Sequence, residues 1–390
     1  MQTPLIFENT ETAFALKSDA ELERAYFLFK MIGNEPLVKI GTAATRFALN
    51  LNLPVEGLIR ATVFDHFCGG VTEEDCLSVV EKMHTKGVSS VLDYSVEGKA
   101  KEMSFDIAAD KVVQLIEFAV HHQAMPFSVF KPTGFGRFEV YRKISEGEPL
   151  SDTERIEWDN IRRRFIQVCE KAVETGVCLL IDAEESWMQK AADDLVLDMM
   201  RLYNKERVVV YNTLQCYRWD RLDYLKEVHE IAKRENFLLG FKIVRGAYME
   251  KETKRAETNG YKNPICKDKQ TTDDNFDDVM RYIFDHLHYI HLFIGTHNEK
   301  SSYLATELIT QRELDRDDKR VWFGQLYGMS DHISYNLAKL GYNVAKYLPF
   351  GPVKDVMPYL IRRAEENTSV AGQTSRELNL LKKEKERRKL

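Results

Sequence analysis

The sequence predicts an α/β protein built on a (β/α)8 barrel, a TIM barrel. Eight short apolar runs rich in β-branched residues recur along the chain, and each run ends in polar residues or glycine. Helical stretches such as 154–175 and 220–236, with apolar residues spaced i, i+3 and i+4, separate the runs. Nearly continuous apolar strands that alternate with helices indicate a parallel sheet covered on both faces, and eight such units suit closure into a barrel.

The eight runs are the predicted strands. In chain order they cover residues 88–97, 126–135, 177–186, 208–217, 239–248, 291–298, 321–328 and 343–351. An open doubly wound sheet is the structural alternative, and such a sheet usually carries a glycine-rich first turn. The segment GFGR at 134–137 lacks the third glycine of the dinucleotide-binding fingerprint, so the barrel is the preferred interpretation.

Three segments are predicted along the chain. Residues 1–85 are mainly helical in pattern and are interpreted as an N-terminal helical arm packed on the barrel. Residues 86–370 form the barrel domain, and residues 371–390 form a basic C-terminal tail helix. The tail segment 375–390 holds seven basic and three acidic residues, a net charge of +4. Such a tail could contact anionic lipid, or it could be a solvated helix packed on the barrel.

Composition excludes several classes of protein. The net charge of −6 and the pI near 6 give no nucleic-acid footprint. No run approaches the ~18 apolar residues of a membrane span. The six cysteines show no CxxC spacing and are typical of buried, reduced thiols. The N-terminus has acidic residues and no arginine before Arg24, which does not resemble a secretory signal or an Arg-rich transit peptide, so a cytoplasmic location is expected.

Polar side chains follow every predicted strand. Functional groups of barrel enzymes lie at the C-terminal ends of the strands. The polar residues at these ends are Asp93, Glu97, Lys131, Asp182, Glu184, Gln215, Tyr217, Lys242, Arg245, Tyr248, Thr296, His297, Asn298, Gln325 and Tyr347. Any one of them could be a helix cap or a rim ion pair. The whole set indicates an active site at one mouth of the barrel.

A helix with two neighbouring arginines is predicted after the eighth strand, in residues 352–367. Tyr359, Arg362, Arg363 and Glu366 are spaced i, i+3, i+4 and i+7, so they share one face of this helix. A solvated face is one interpretation. The apolar residues around Tyr359 imply instead that much of the helix is covered. Two arginines that are partly buried there need an anion, such as a carboxylate or a phosphate.

Several of these segments resemble the motifs of the proline dehydrogenase family. The matching segments are FSVFKPTGFG (127–136), LLIDAEES (179–186), TLQCY (213–217), FKIVRGAYMEKE (241–252), GTHN (295–298), KYLPFGPV (346–353) and YLIRRAEEN (359–367). The resemblance runs from about residue 25 to the C-terminus. It implies a distorted (β/α)8 barrel with non-covalent FAD. It also implies oxidation of L-proline to Δ1-pyrroline-5-carboxylate by hydride transfer to flavin N5, the first step of proline catabolism, with a membrane quinone as electron acceptor.

The resemblance also implies roles for individual residues. The substrate-binding residues would be Lys131, Tyr347, Tyr359, Arg362 and Arg363, and the catalytic residues would be Asp182 and Lys242. The flavin would be held by Ala183, Gln215, Lys242, Arg245, Gly246, Ala247, Thr296, His297 and Asn298. Glu97 would form a gate ion pair with Arg362. Many relatives carry arginine at the position of Lys242, and lysine leaves one compact donor there.

The sequence leaves other functions open. A hydroxyproline dehydrogenase is one alternative, although relatives that oxidise hydroxyproline tend to carry a smaller residue at the position of Tyr347. A second alternative is an aldolase barrel in which Lys131 or Lys242 forms a Schiff base with a carbonyl substrate. A metal hydrolase using Asp93, Asp182 and His297 is disfavoured, because no second histidine ends a predicted strand. No metal site is therefore expected.

Overall fold

Eight parallel strands form a closed barrel in chain order, which confirms the predicted fold class. The computed structural model describes residues 6–34, 36, 38, 41–43, 55–94, 101–369 and 373–390. The strands are β1 Val88–Tyr94, β2 Phe127–Phe130, β3 Cys178–Ile181, β4 Val210–Gln215, β5 Leu239–Val244, β6 Ile290–Gly295, β7 Val321–Leu326 and β8 Val344–Phe350. Most of these strands end before the predicted runs do, because the polar residues at the end of each run belong to the loops.

The chain divides into two units, a terminal unit (Met1–Glu97 and Gln325–Leu390) and a central unit (Gly98–Gly324). Both ends of the chain belong to the terminal unit. The predicted domain boundaries at residues 85 and 370 stay a prediction. No described helix has the length and apolarity that crossing a bilayer requires.

The central unit carries β2 to β6, most of β7 and the helices that cover them. Its helices are α6 Glu102–Val120, α7 Phe138–Glu146, α8 Asp152–Thr175, α9 Ser186–Tyr203, α10 Arg221–Glu235, α11 Met249–Asn259, α12 Lys269–Asp285 and α13 Glu299–Gln311. Every residue of β4 is buried, as expected of a parallel strand covered on both faces. Register pairs Thr213 of β4 with Lys242 of β5 and Gln215 with Val244, so Lys242 lies two residues before the C-terminal end at which Gln215 ends β4.

Aromatic side chains fill the barrel at the opposite, N-terminal ends of these strands. The Phe127 ring packs edge-on against Trp322, Phe293 and Tyr211, with centroids 5.0, 5.2 and 6.0 Å away. A cavity of ≈ 420 Å³ opens beside Phe127, Tyr211 and Trp322. None of the predicted site residues lines this cavity, so it lies apart from the strand ends that carry the chemistry.

The terminal unit carries β1, β8 and the helices of both chain ends. Its helices are α1 Thr10–Ala13, α2 Asp19–Ile32, α3 Glu56–Ile59, α4 Asp65–Phe67, α5 Glu73–His84, α14 Asp331–Lys339, α15 Val353–Ser369 and α16 Gln373–Arg388. Ser18 and Thr72 begin α2 and α5 with capping boxes, in which the cap hydroxyl and an acidic side chain bond each other's backbone N–H. The helix start predicted at Thr72 is confirmed.

A buried ion cluster joins β8 to α14 and to the N-terminal segment. Lys346 is fully buried, and its Nζ lies 2.8 Å from Asp331 and donates to the Met329 carbonyl at 2.7 Å. Lys17 also lies 3.1 Å from Asp331. Burial alone would raise the pKa of Asp331, but the two lysines hold it well below its usual value. The cluster is thus a fixed structural link, in which a doubly paired carboxylate offsets the burial of Lys346.

The basic tail packs on the N-terminal helices rather than extending into solvent. Leu380 and Leu381 are 1% exposed and lie in a core cluster with Phe14, Leu22 and Phe29. Several of its basic side chains pair with acidic residues near the N-terminus: Arg376 with Glu8 at 2.6 Å, Lys385 with Glu23 at 2.7 Å and Arg388 with Asp19 at 3.0 Å. Of the two interpretations left open by the sequence, the structure supports the packed helix, which contacts α2 and also accepts the backbone N–H of Ser330, before α14, through the Glu377 side chain.

We predict that Leu381→Ala lowers the free energy of unfolding by about 2–4 kcal/mol, because it leaves a cavity in this core. Leu378, which is only partly buried against the same cluster, supplies the matched control. Leu378→Ala should cost about 1 kcal/mol or less. Urea denaturation measures both values, and equal losses for the two variants would show that the tail does not pack as described.

Candidate functional site

Two lysines and one carboxylate meet at the ends of three strands of the central unit. Asp182 follows β3, Lys131 follows β2 and Lys242 lies within β5. Lys242 Nζ donates a hydrogen bond to Asp182 Oδ1, while Lys131 Nζ lies 4.0 Å from Asp182 Oδ2. The Lys242 side chain is 5% exposed, against 20% for Asp182 and 26% for Lys131. One carboxylate thus contacts a buried cation through one oxygen and lies near a more accessible cation through the other.

Gln215 ends β4 with a side-chain carbonyl that lacks a partner. The residue is 3% exposed, and its Oε1 accepts no hydrogen bond from any residue that the structure describes. A buried acceptor left unsatisfied costs roughly 1–3 kcal/mol, so such an atom is expected to meet a ligand donor. The isoalloxazine ring of a flavin carries a ring N–H of this kind. The orphaned oxygen therefore fits the flavin contact that the resemblance implies for Gln215.

The turn after β5 is shaped by Gly246. Its φ of +129° is a conformation that side chains rarely adopt, and a Cβ there would lie 2.5 Å from the Tyr217 ring. Tyr217 also donates its backbone N–H to the Arg245 carbonyl at 2.7 Å, which fixes the turn against the end of β4. Gly246 and Ala247 are exposed, so their backbone is accessible to a ligand. A close backbone approach of this type suits a cofactor phosphate or ring.

Arg245 is oriented by three side chains. Its guanidinium bonds Asp273 at 2.6 Å, Thr296 Oγ1 at 2.8 Å and Ser301 Oγ at 3.0 Å. The guanidinium also lies 4.5 Å from the centroid of the Phe276 ring. Burial alone would raise the pKa of Asp273, but Lys269 and Arg245 lower it below its usual value. An arginine held rigidly at this place could bind an anionic group of a cofactor.

The predicted segment Thr296–Asn298 joins β6 to α13. Thr296 Oγ1 accepts the backbone N–H of Asn298 at 3.1 Å, and the Asn298 side chain caps α13 by accepting from Ser301 N–H at 3.1 Å. His297 between them is half-buried. The structure therefore brings Arg245 and Thr296 together directly, and Asn298 shapes the loop that follows.

Ala183 follows Asp182 in the central unit and is half-buried, and the other predicted residues belong to the terminal unit. Tyr347 lies in β8 and is 8% exposed, and its carbonyl accepts from Tyr327 N–H at 2.8 Å. Tyr359 is 6% exposed on α15, and the Arg363 guanidinium lies 5.2 Å from the centroid of its ring. Arg362 is half-buried on the same helix. Partial burial of both arginines agrees with the covered face expected from the sequence.

Glu97, the expected partner of Arg362, lies outside the described residues. The predicted gate ion pair is therefore untested. Among the residues that are described, no group of three or more His, Cys, Asp or Glu side chains could hold a metal ion.

Two carboxylates that support this region were given no role from the sequence. Glu252 on α11 is fully buried and accepts both the backbone N–H and the hydroxyl of Ser186 at 2.6 Å. It thereby ties α11 to the start of α9. The other carboxylate is Asp273, which orients Arg245 across 28 residues of sequence. Both contacts depend on how distant segments pack, so local spacing could not reveal them.

Comparison with known proteins identifies the same family that the sequence motifs resemble. The family model "Proline dehydrogenase" matches residues 76–376. "Carbapenem antibiotics biosynthesis protein CarD" of Pectobacterium carotovorum subsp. carotovorum is 39% identical, over 85% of this chain and 86% of that protein. "Proline dehydrogenase 1, mitochondrial" of Dictyostelium discoideum is 32% identical, over 97% and 74%. "Hydroxyproline dehydrogenase" of Xenopus laevis is 30% identical, over 96% and 88%.

The fold also matches solved structures. Proline utilization A from Bdellovibrio bacteriovorus superposes with a TM-score of 0.73 at 18% identity, over 98% of this chain. The chain spans 42% of that larger protein. At this identity the similarity establishes the barrel fold and nothing further.

We predict that Asp182→Asn lowers the free energy of unfolding by about 1–3 kcal/mol, because the buried Lys242 loses its counter-charge. Asp194 is the matched control, since it also pairs with a lysine, Lys190, but both side chains are more than half exposed. Asp194→Asn should change stability by less than about 0.5 kcal/mol. A loss at Asp182 no larger than at Asp194, measured by urea denaturation, would mean that the Lys242 pair contributes little.

Proposed function

The chain belongs to the proline dehydrogenase family, an oxidoreductase family acting on CH–NH groups, and we propose that it oxidises L-proline to Δ1-pyrroline-5-carboxylate with bound FAD. The observations that support this most are the contacts of Asp182 with Lys131 and Lys242, and the orphaned side-chain oxygen of Gln215 at the end of β4. The two lysines offer one accessible cation for a substrate carboxylate and one buried cation for a flavin.

Lys131, Arg362 and Arg363 are the proposed carboxylate-binding residues. The Lys131 side chain is 26% exposed, so a substrate carboxylate can reach its ammonium group. Charge-assisted hydrogen bonds from guanidinium groups would add orientation. Positive side chains around the substrate also favour the neutral form of its amine, whose lone pair is needed when a hydride leaves the neighbouring carbon. No side chain is assigned as a dedicated general base.

The flavin is proposed to lie against Gln215, the Arg245–Ala247 turn, Thr296–Asn298 and Ala183. Bound FAD would supply the hydride acceptor, which the protein's own side chains cannot provide. Lys242 and Arg245 would stabilise the negative charge that reduction adds to this region. Asp182 keeps Lys242 in place, so the two residues are proposed to act together.

Tyr347 and Tyr359 are proposed to pack on the substrate, and Tyr347 to limit which ring is accepted. Hydroxyproline oxidation is the second candidate, because a relative that covers nearly the whole chain is a hydroxyproline dehydrogenase. This chain keeps an aromatic residue at Tyr347, and it is 8% exposed. A hydroxyl buried against that ring without a partner would cost roughly 1–3 kcal/mol. We therefore propose a preference for L-proline.

A membrane quinone at the inner face of the membrane is the proposed electron acceptor, with the protein in the cytoplasm. Basic residues of α16 are paired within the terminal unit, so membrane contact through this helix would require breaking those pairs. A Schiff-base aldolase is less compatible with the site. Its reactive lysine needs an uncharged amine, whereas Lys242 is in an ion pair with Asp182 and Lys131 lies 4.0 Å from the same carboxylate.

The proposal is tested by mixing the purified flavin-loaded protein with L-proline without oxygen. We expect the visible flavin absorbance to bleach and a cyclic imine product to be trapped by 2-aminobenzaldehyde. With trans-4-hydroxy-L-proline, kcat/KM should fall about ten- to a hundredfold, the equivalent of one unsatisfied hydroxyl. Absence of bleaching with L-proline would overturn the proposal, and faster reaction with the hydroxylated ring would favour the second candidate.

Arg245→Ala is predicted to reduce the fraction of protein that retains FAD through purification. The variant removes the charge that Asp273, Thr296 and Ser301 hold in place. Arg207→Ala is the control, since Arg207 is an exposed arginine of the same unit that bonds the Val173 carbonyl at 3.1 Å. The ratio of flavin to protein absorbance measures retention. Full retention in Arg245→Ala, or equal loss in both variants, would exclude a specific role for Arg245.

A further inference from the structure

Glu184 is a buried carboxyl that the proposed mechanism does not use. It lies two residues after Asp182 and is 6% exposed. One of its oxygens accepts the backbone N–H of Thr133 at 3.0 Å, and the other accepts the Thr133 hydroxyl at 2.7 Å. Its own backbone N–H donates to the Gln189 side chain at 2.7 Å. Both oxygens are thus committed to a single residue, in the loop after the neighbouring strand.

That loop carries Lys131. Residues Pro132–Gly134 form a 3₁₀ turn directly after Lys131. The turn is fixed at two points, by Glu184 at Thr133 and by the buried Tyr141 hydroxyl, which donates to the Pro132 carbonyl at 2.8 Å. Because Lys131 immediately precedes these anchored residues, any movement of the turn would change the distance between Lys131 and Asp182.

We propose that Glu184 is a positioning residue for substrate binding, which clamps the Pro132–Gly134 turn and thereby sets the place of the Lys131 ammonium. The inference rests on the proposed function in one respect, that Lys131 binds the carboxylate of the substrate. Glu184 itself touches neither substrate nor flavin in this account. Its role is to fix the backbone from which the long Lys131 side chain extends, before the substrate arrives.

The charge of Glu184 adds a second, separable effect. Burial raises its pKa to about 7, although Thr133 and Lys131 lower it and Glu185 raises it further. Tyr141 also faces it from α7, and Glu185 is itself paired with Lys251 at 2.8 Å. Glu184 therefore changes charge near neutral pH. As the pH falls through 7, it takes up a proton and its negative charge beside Lys131 disappears.

The clamp is compatible with both protonation states. As a carboxylate, Glu184 accepts both Thr133 bonds. As an acid, its O–H can donate to the Thr133 hydroxyl while the other oxygen still accepts the backbone N–H. Protonation therefore leaves the turn in place and changes only the electrostatic competition for Lys131. A ligand carboxylate should bind more tightly below pH 7 than above it.

Three variants separate the clamp from the charge. Glu184→Gln retains both contacts, because its amide oxygen accepts from Thr133 N–H and its NH₂ group donates to the hydroxyl. Glu184→Ala removes both contacts, and Thr133→Val removes only the hydroxyl contact. We expect KM for L-proline to rise roughly tenfold in Glu184→Ala and less in Thr133→Val, with kcat changed less than about threefold. Glu184→Gln should stay within about threefold of the parent in both constants.

Cyclopentanecarboxylate is a probe of the same site that has no amine and is therefore not oxidised. Its dissociation constant is measured from the change that it causes in the spectrum of oxidised flavin-loaded protein, between pH 6 and pH 9. In the parent, affinity should fall as pH rises through 7, and Glu184→Gln should abolish this dependence. Glu185→Gln is the matched control, since it removes a neighbouring carboxylate that is bound to Lys251 instead, and it should keep the dependence.

The outcomes distinguish this inference from the proposed function. Flavin bleaching by L-proline in the parent, together with an unchanged KM in Glu184→Ala and a persistent pH dependence in Glu184→Gln, would overturn the role of Glu184 alone. Absence of bleaching in the parent would overturn the proposed function, and the cyclopentanecarboxylate measurements would still report whether Glu184 controls an anion site at Lys131. If Glu184→Ala does not fold, Thr133→Val and the two glutamine variants decide the question.

Discussion

The ion pair between Lys242 and Asp182 is the interaction on which the mouth of the central unit depends. An ammonium group that is only 5% exposed cannot remain there without a counter-charge, and Asp182 supplies it from the next strand but one. The same carboxylate lies 4.0 Å from Lys131 on its other side. One acidic residue thus organises two cations, and its loop continues into Glu184, which anchors the turn that carries Lys131.

Two neighbouring residues of β8 in the terminal unit have different roles, because strand alternation turns their side chains to opposite faces. Lys346 and Tyr347 are adjacent in β8, so their side chains point to opposite faces. Lys346 is fully buried and pairs with Asp331 on α14, where burial lowers its pKa. A lysine within a family motif is therefore a structural residue here, while the neighbouring tyrosine is the one proposed to contact substrate.

Much of the fold followed from local pattern, because apolar runs and helical spacing are local properties. Each observed strand lies at or beside a predicted run, and the polar residues after Ile181 and Val244 do lie at strand ends. The supporting contacts were not predictable in this way. Glu184 reaches Thr133 across 51 residues and Glu252 reaches Ser186 across 66, so their roles arise only when the chain is packed. The charge of the basic tail alone could not show whether the tail binds anionic lipid or pairs with the acidic N-terminal helices that it contacts.

The central claim is that Asp182 and Lys242 act as one unit in proline oxidation. The most direct test is a double-mutant cycle on the single-turnover rate of flavin reduction by L-proline, with Asp182→Asn, Lys242→Met and the double variant. The account predicts strong non-additivity, in which the double variant is slowed about as much as the more impaired single variant. Effects that multiply independently would contradict it, because they would show that each residue acts without the other.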